Sequence, residues 1–437
     1  MKILLISPVI AVDKSTPQSL TIPQLALHIL AGLTPEEHQI QIVEEEHELV
    51  DFNTECDVVG ISILTSNAMR GYDIAREFKE RGKIVVLGGI HATVLPDEAI
   101  KHADSVVVGE AEEVWEDLLL DIQNGKLKKR YHKPMPVLDR YIELNTRNSS
   151  KKRAFNAIPT ETTRGCPFTC DFCSVPEYYG RKLRHHPIEH VLEDVKQANG
   201  KTFIFLDDNI LGRPSYAKKL FQELEPLNIK WGGQCSLTTV ERHPELLDLA
   251  QRSGCLGLYF GLETVSPSTM KKFKKSSKGL KNLEDQIKKI KDSGIHFHAS
   301  IIFGHDEDDI SVFPETLEFL ERNKVGTATF HLMTPFPGTP FFDEMKKAGR
   351  ILTTDWAEYH WENVIFQPKN MTVEELLNGY LWAKSEFSSI PAIIRRLPGN
   401  IRHPLLHVMA NLGSRQEVKY SSKNSAIIQP AEHAESV

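Results

Sequence analysis

The chain has little that would take it across a membrane or onto a nucleic acid. No run of about 18 apolar residues occurs among its 437, so no spanning helix is expected. Positive charge is not in excess: the formal net charge is −7, which argues against nucleic-acid binding through bulk charge. The opening Met1-Lys2-Ile3-Leu4-Leu5-Ile6-Ser7-Pro8 is too short an apolar run for a secretory signal and has no cleavage pattern, so it reads as a first strand. Cysteine is scarce. Of the six, three fall within one short run, which fits a reducing cytoplasm better than a disulfide framework. What is abundant is ordinary: 41% hydrophobic and 25% charged residues describe a globular protein. The length suggests two or three domains at about 100–200 residues each.

The bunched cysteines carry the most chemistry. Thr163-Arg164-Gly165-Cys166-Pro167-Phe168-Thr169-Cys170-Asp171-Phe172-Cys173 spaces its thiols as C-x3-C-x2-C. Iron–sulfur clusters are usually held by four thiolates; a [4Fe–4S] cube held by three keeps one iron open to a ligand. Zinc is the competing assignment, with His185 or His186 as a fourth donor.

The aromatic residue Phe172 before the last cysteine makes the run resemble the signature of radical S-adenosylmethionine (SAM) enzymes. The resemblance implies that Cys166, Cys170 and Cys173 hold the [4Fe–4S] cluster, that SAM chelates the open iron, and that one electron cleaves SAM to methionine and a 5′-deoxyadenosyl radical. Phe172 would then pack near the adenine.

Around this motif the chain divides into parts. Residues 1–125 alternate short apolar runs (3–7, 39–43, 58–63, 84–87 and 105–108) with helix-period stretches. The expected fold is α/β, a doubly wound, flavodoxin- or Rossmann-like parallel sheet. Ligands of such sheets sit at the strand carboxyl ends, which here carry Leu64-Thr65-Ser66, Gly88-Gly89 and Gly109-Glu110, with His91 close by. The runs around Gly60, Gly88-Gly89 and Gly109-Glu110 make this part resemble the cobalamin (B12)-binding domain found ahead of many radical SAM cores, which implies that those residues face a cobalamin. The Asp-x-His-x-x-Gly motif that supplies a histidine to cobalt in many such domains is missing. Residues 126–153 hold ten Lys/Arg against two Asp/Glu and read as an exposed basic linker.

Residues 154–340 contain six more strand–helix units, the expectation for a partial (β/α)6, TIM-like barrel. Polar residues collect where strands end: the three cysteines, Asp207-Asp208, Cys235-Ser236, Glu263, Gly304-His305 and Thr334. Barrel active sites are built there. By resemblance, Asp207, Asp208, Ser236, Glu263, Lys275, Ser300 and Gly304 are candidates for holding SAM. His305 and His331 are candidates for substrate binding or proton transfer. Residues 341–413 read as a small, mainly helical accessory region, its aromatic run Asp355–361 hinting at a hydrophobic or lipid-like substrate, and residues 414–437 as a disordered tail. The prolines of 390–407 favour packing against the core over lying on a membrane.

The implied function is cobalamin-dependent methylation of an unactivated carbon in a small molecule, fed by an electron donor such as flavodoxin or ferredoxin. The alternatives are a radical cyclase, rearrangement or carbon–carbon coupling without methyl transfer, and a non-catalytic metal-binding interaction module. A methylthiotransferase would need a second cysteine cluster, and the amino-terminal part has only Cys56.

Overall fold

The computed structural model describes residues 1–9, 23–144, 157–198, 202–272, 279–360 and 362–424. Lys275, and the parts of the linker and tail at 145–153 and 425–437, lie outside the described residues.

The amino-terminal sheet is made of β1 (Lys2–Ser7), β2 (Gln39–Glu44), β3 (Val58–Ser62), β4 (Ile84–Gly88), β5 (Ser105–Val107) and β6 (Arg130–Tyr131). All are parallel, in the order β2-β1-β3-β4-β5-β6. Strand alternation sends Leu4, Ile6, Val59, Ile61, Val85 and Leu87 to one face, against Ile74 and Phe78 of helix Ala68–Glu80. It sends Ile3, Leu5, Val58 and Val86 to the other, against Trp115 and Leu118 of helix Trp115–Gln123. Both faces are covered, as parallel sheets require. The sixth strand corrects the reading of 126–153 as a linker throughout: Tyr131 is buried and its hydroxyl donates to Asp121 at 2.8 Å, so the segment begins by finishing the sheet edge.

The second sheet runs β7 (Ile158–Thr160), β10 (Thr202–Phe205), β11 (Lys230–Cys235), β12 (Cys255–Glu263), β13 (His296–Phe303) and β14 (Thr327–Leu332), all parallel, each next to its sequence neighbour. A two-stranded antiparallel pair, β8 (Thr163–Arg164) with β9 (Arg184–His185), stands at its first edge. This is the partial barrel expected. Phe297, Ala299, Ile301 and Phe303 of β13 and Ala328, Phe330 and Leu332 of β14 enter the outer core under the helices. The alternate residues, His298 and Ser300, Thr329 and His331, face inward. A one-residue slip would exchange these sets. Fully burying each large apolar side chain is worth about 1.5–3 kcal/mol, so the register, and with it the polar interior, is fixed.

The carboxyl-terminal region ties the two sheets together. Trp356 and Tyr359 pack into the core of the first domain, and the Trp356 indole N–H donates to Glu98 at 2.9 Å. Trp356 and Tyr359 therefore serve the packing of the first domain. Helix Pro404–Asn424 extends past residue 414, which corrects the expected onset of a disordered tail.

Candidate active site

The cysteine loop leaves β8 at Arg164 and enters helix Val175–Tyr179. Gly165 turns it with φ +87; an added Cβ would lie 3.0 Å from the Lys182 carbonyl and 3.1 Å from that of Gly180, so the turn requires glycine. The Cys173 N–H donates to the Cys170 carbonyl at 3.1 Å, and the Asp171 carbonyl accepts from Phe341 N–H at 3.0 Å, docking the loop on the helix that follows the barrel. The three cysteines are half-buried and form no disulfide. Burial, then the neighbouring Cys170, Asp208 and Cys166, pushes the Cys173 thiol up to about 12. Cys166, Cys170 and Asp208 are near enough to act electrostatically on Cys173, and a cationic partner would draw such thiols to thiolates, the donor type an iron–sulfur cluster takes. The fourth donor that zinc would need is engaged elsewhere: His186 Nε2 lies 3.3 Å from Glu161 Oε2, and the His185 ring packs on Tyr216 at 4.7 Å. Phe172 packs with Met333, Phe341, Met345 and Phe366.

Next to this loop is a cavity of about 400 Å³ between the carboxyl ends of both sheets. Ser62, Leu64, Gly88, Gly89, Gly109 and Glu110 line it from the first domain; Thr163, Arg164, Tyr178, Tyr179, Leu206 and Asp208 line it from the barrel. Gly89 sits at φ +96, where a Cβ would meet the Ile63 carbonyl oxygen at 2.6 Å, so a bare backbone forms part of the wall. Such a flat, glycine-floored cleft at strand ends fits a broad planar cofactor. No histidine is among the residues lining it, so the described wall offers no imidazole to a cobalt.

Three of the sequence candidates for cobalamin lie elsewhere. The turn Thr65–Asn67 is closed by Leu64 N–H donating to Asn67 Oδ1 at 2.7 Å, which carries Thr65 and Ser66 inward, where both are buried. His91 is wholly buried, its Nδ1 3.2 Å from the Thr65 hydroxyl and its Nε2 3.2 Å from Glu98 Oε1, with Trp356 packed edge-on at 5.4 Å. It braces the core. His91→Ala should lower stability by about 1–3 kcal/mol, the cost of leaving buried polar groups unpaired, while the visible spectrum of bound cobalamin stays unchanged; a shifted spectrum would return His91 to the cofactor site.

Glu110 lines the cavity but its carboxylate is already committed. It accepts from Arg164 Nη1 at 2.5 Å and from Arg184. Arg164 also pairs with Glu112 and, at 2.8 Å, with Glu161. This buried network joins the two domains immediately before Cys166. Sequence reading missed Glu112, Glu161 and Arg164; the signal available was charge inside otherwise apolar strand ends.

The SAM candidates separate. Asp207 is buried, accepting from the Thr162 hydroxyl at 2.5 Å, the Thr163 hydroxyl at 2.6 Å and Thr162 N–H at 3.1 Å; it ties the end of β10 to the start of β8 and is spent on that. Asp208 faces the cavity. Burial, then Asp207 and Glu161, pushes it up to about 7, against a hydrogen bond from Gly165 N–H; an ammonium group beside it would bring it down. Ser236 and Glu263 meet at a smaller cavity of about 40 Å³. The Ser236 hydroxyl caps helix Leu237–Arg242, and Glu263 stands at φ +67 where β12 shifts register against β13, a bulge that re-aims its side chain. Gly304, at φ +101, is held by Asp308, whose Oδ2 accepts from the N–H groups of Gly304 and His305.

Inside the barrel, Tyr259 is stacked on His298 at 4.8 Å, and its hydroxyl is 3.0 Å from His331 Nε2. Ser300 hydrogen-bonds Tyr259. Burial pushes His331 down to about 4 and His298 to about 3, so both rings are neutral near pH 7. Tyr259 and His298 were missed, although the alternation His296-x-His298-x-Ser300 beside Thr327-x-Thr329-x-His331 shows the inward face.

Comparison with known proteins agrees with this geometry. The radical SAM superfamily model matches residues 160–320 and the B12 binding domain model residues 21–119. The chain is 37% identical over 356 residues to bacteriochlorophyllide d C-12(1)-methyltransferase of Chlorobaculum tepidum, covering 78% of this chain and 77% of that protein. It is 33% identical to bacteriochlorophyllide d C-8(2)-methyltransferase of the same organism, over 83% and 84% of the two chains. The radical SAM methyltransferase TsrM of Kitasatospora setae, solved with cobalamin and a [4Fe-4S] cluster, superposes with a TM-score of 0.65 at 15% identity, over 79% and 78% of the chains. A cysteine trio at a barrel mouth, its flanking residues sharing one cleft with a glycine-floored sheet, is thus the framework of a known enzyme group: the chain belongs to the radical SAM superfamily, in its B12-binding branch of methyltransferases.

Proposed function

We propose that this enzyme methylates an unactivated carbon on the periphery of a large apolar ring, a chlorin-type tetrapyrrole. The observation that carries the reading is the shared cleft: the wall fit for a corrinoid faces Thr163, Arg164, Tyr178 and Tyr179, which flank the cysteine loop, across one cavity, so a substrate held there lies between the two. The ring class is supported by the two relatives above, both of which act on bacteriochlorophyllide d. When bound, the cluster supplies the electron that cleaves SAM, and cobalamin supplies the methyl group.

The chain's own residues do the positioning. Cys166, Cys170 and Cys173 hold three irons and leave one open. Asp208 offers an acceptor to the SAM ammonium. The barrel interior offers Tyr259 with neutral His331 and His298, which bind polar groups of the substrate without adding charge. The electron comes from a flavodoxin- or ferredoxin-type donor in the cytoplasm.

The test is anaerobic turnover of the reconstituted holoenzyme with SAM, a strong reductant and bacteriochlorophyllide d. Mass spectrometry should show a product one methyl group heavier, with one 5′-deoxyadenosine and one S-adenosylhomocysteine per product. 5′-Deoxyadenosine without S-adenosylhomocysteine would replace methyl transfer by a ring-forming or rearrangement reaction. S-Adenosylhomocysteine without a heavier chlorin would refute the substrate class alone.

A further inference from the structure

Helix Pro404–Asn424 is built inside out over residues 404–412. Polar residues there point into the protein: His407 and Asn411 are buried, Asn411 Nδ2 donating to the Gly326 carbonyl at 3.0 Å while its Oδ1 accepts from buried Arg396 at 2.8 Å. His407 Nε2 lies 3.1 Å from the Ile393 carbonyl. Its apolar residues point out: Leu405 is 76% exposed and Met409 68%. The turn before it continues the face with Ile401 at 73%, and the preceding helix Ile390–Arg396 with Ile394 at 61%. Of the seventeen exposed large apolar side chains among the described residues, eight fall between 390 and 412. Scattered surface leucines need no explanation, but a contiguous apolar face marks a binding surface.

Charge selects the partner. From residue 387 to 424 the sequence carries six Lys/Arg and one acidic residue, Glu417, in a chain of net charge −7; among the described side chains Arg396 is buried and Arg395 pairs with Glu321, while Arg402 is exposed. A second copy docked on the same face would set this basic segment against itself. We infer that the face formed by 390–412 seats the enzyme on an anionic lipid bilayer, its apolar side chains entering the headgroup–acyl boundary and exposed Arg402 meeting lipid phosphates. No helix among the described residues is long and apolar enough to cross a membrane, so the attachment is peripheral. The face lies at the amino-terminal ends of the barrel strands, where Arg402 donates to the Asp292 carbonyl at 2.9 Å and Asn411 to that of Gly326. It is therefore remote from the cysteine loop and independent of the substrate assigned above.

Flotation of the full-length holoenzyme with phosphatidylglycerol-containing vesicles, against pure phosphatidylcholine vesicles, tests this. The wild type should float with the anionic vesicles and be released by raised salt. The double variant Leu405→Gln, Met409→Gln should reduce the bound fraction by about tenfold or more while cleaving SAM at the wild-type rate. The inference is overturned if the wild type stays with the soluble fraction, if the variant floats equally well, or if the wild type sediments as a dimer that the variant dissolves.

Discussion

Cys170→Ala should reduce 5′-deoxyadenosine formation to background and take the iron content from about four per chain to near zero, with the far-ultraviolet circular dichroism unchanged. On the proposed ligand set the cluster would be held through three thiolates, and losing one would leave two irons without a protein ligand instead of one. The loop's backbone is held by bonds that the substitution leaves in place: the Cys170 carbonyl accepts from Cys173 N–H, and the Asp171 carbonyl accepts from Phe341 N–H. Folding and cluster binding are thus separable, and the measurement pairs iron and sulfide analysis with the product assay. Cys235→Ala is the control. Cys235 is buried in the barrel wall, and its removal costs packing alone, on the order of 1 kcal/mol. Retained iron and cleavage in Cys170→Ala, or their loss in Cys235→Ala, would refute the assignment of ligands.

The second large effect is expected at the domain junction. Arg164→Met removes the guanidinium that serves Glu110, Glu112 and Glu161. Breaking a buried ion pair from one side costs about 3–5 kcal/mol, because the stranded charge stays buried. The pH dependence gives a sharper signature. Burial raises the Glu161 carboxyl, yet Arg164 and His186 together hold it below its ordinary value. A carboxyl with a depressed folded value adds stability above its unfolded value near about 4.3, and that stability is lost as pH falls through the folded value. Without Arg164 the burial acts with less opposition, the carboxyl rises, and protonation relieves the variant as pH falls from 7 towards 5. The gap in thermal midpoint between wild type and variant should therefore narrow on acidification. A gap that is constant, or widens, would show that Glu161 is not the group Arg164 restrains. Arg164→Lys should fall between the two, since a lysine cannot present the planar fork that reaches several carboxylates.

Much of the architecture was legible because it is written in short-range periodicities. The strands of both sheets follow apolar runs, and the cysteine spacing is a local pattern. The carboxyl-end rule then gathers the site without any knowledge of contacts. What was not legible depends on pairing across distance. Asp207 and Asp208 are adjacent and chemically alike, and only the presence of Thr162 and Thr163 beside the first shows that it is already occupied. His91 looks like a cofactor neighbour until Glu98 and Trp356 close around it. Glu110 sits on the cofactor wall, and its partners are 54 and 74 residues away. The sixth strand was hidden by composition: two residues inside a basic stretch form the sheet edge because their backbone pairs with β5.

The bond from the Trp356 indole to Glu98 spans 258 residues of sequence, and this bears on how the protein is made. On a ribosome, the first domain emerges with its strands complete, but part of its core has yet to be translated. At about 5–20 residues per second, the missing piece arrives roughly 11–45 s after β6 is complete. Throughout that interval the nascent domain shows an apolar seam, so its yield in a cell should depend on holdase chaperones, and a message truncated before residue 356 would yield a first domain that never closes.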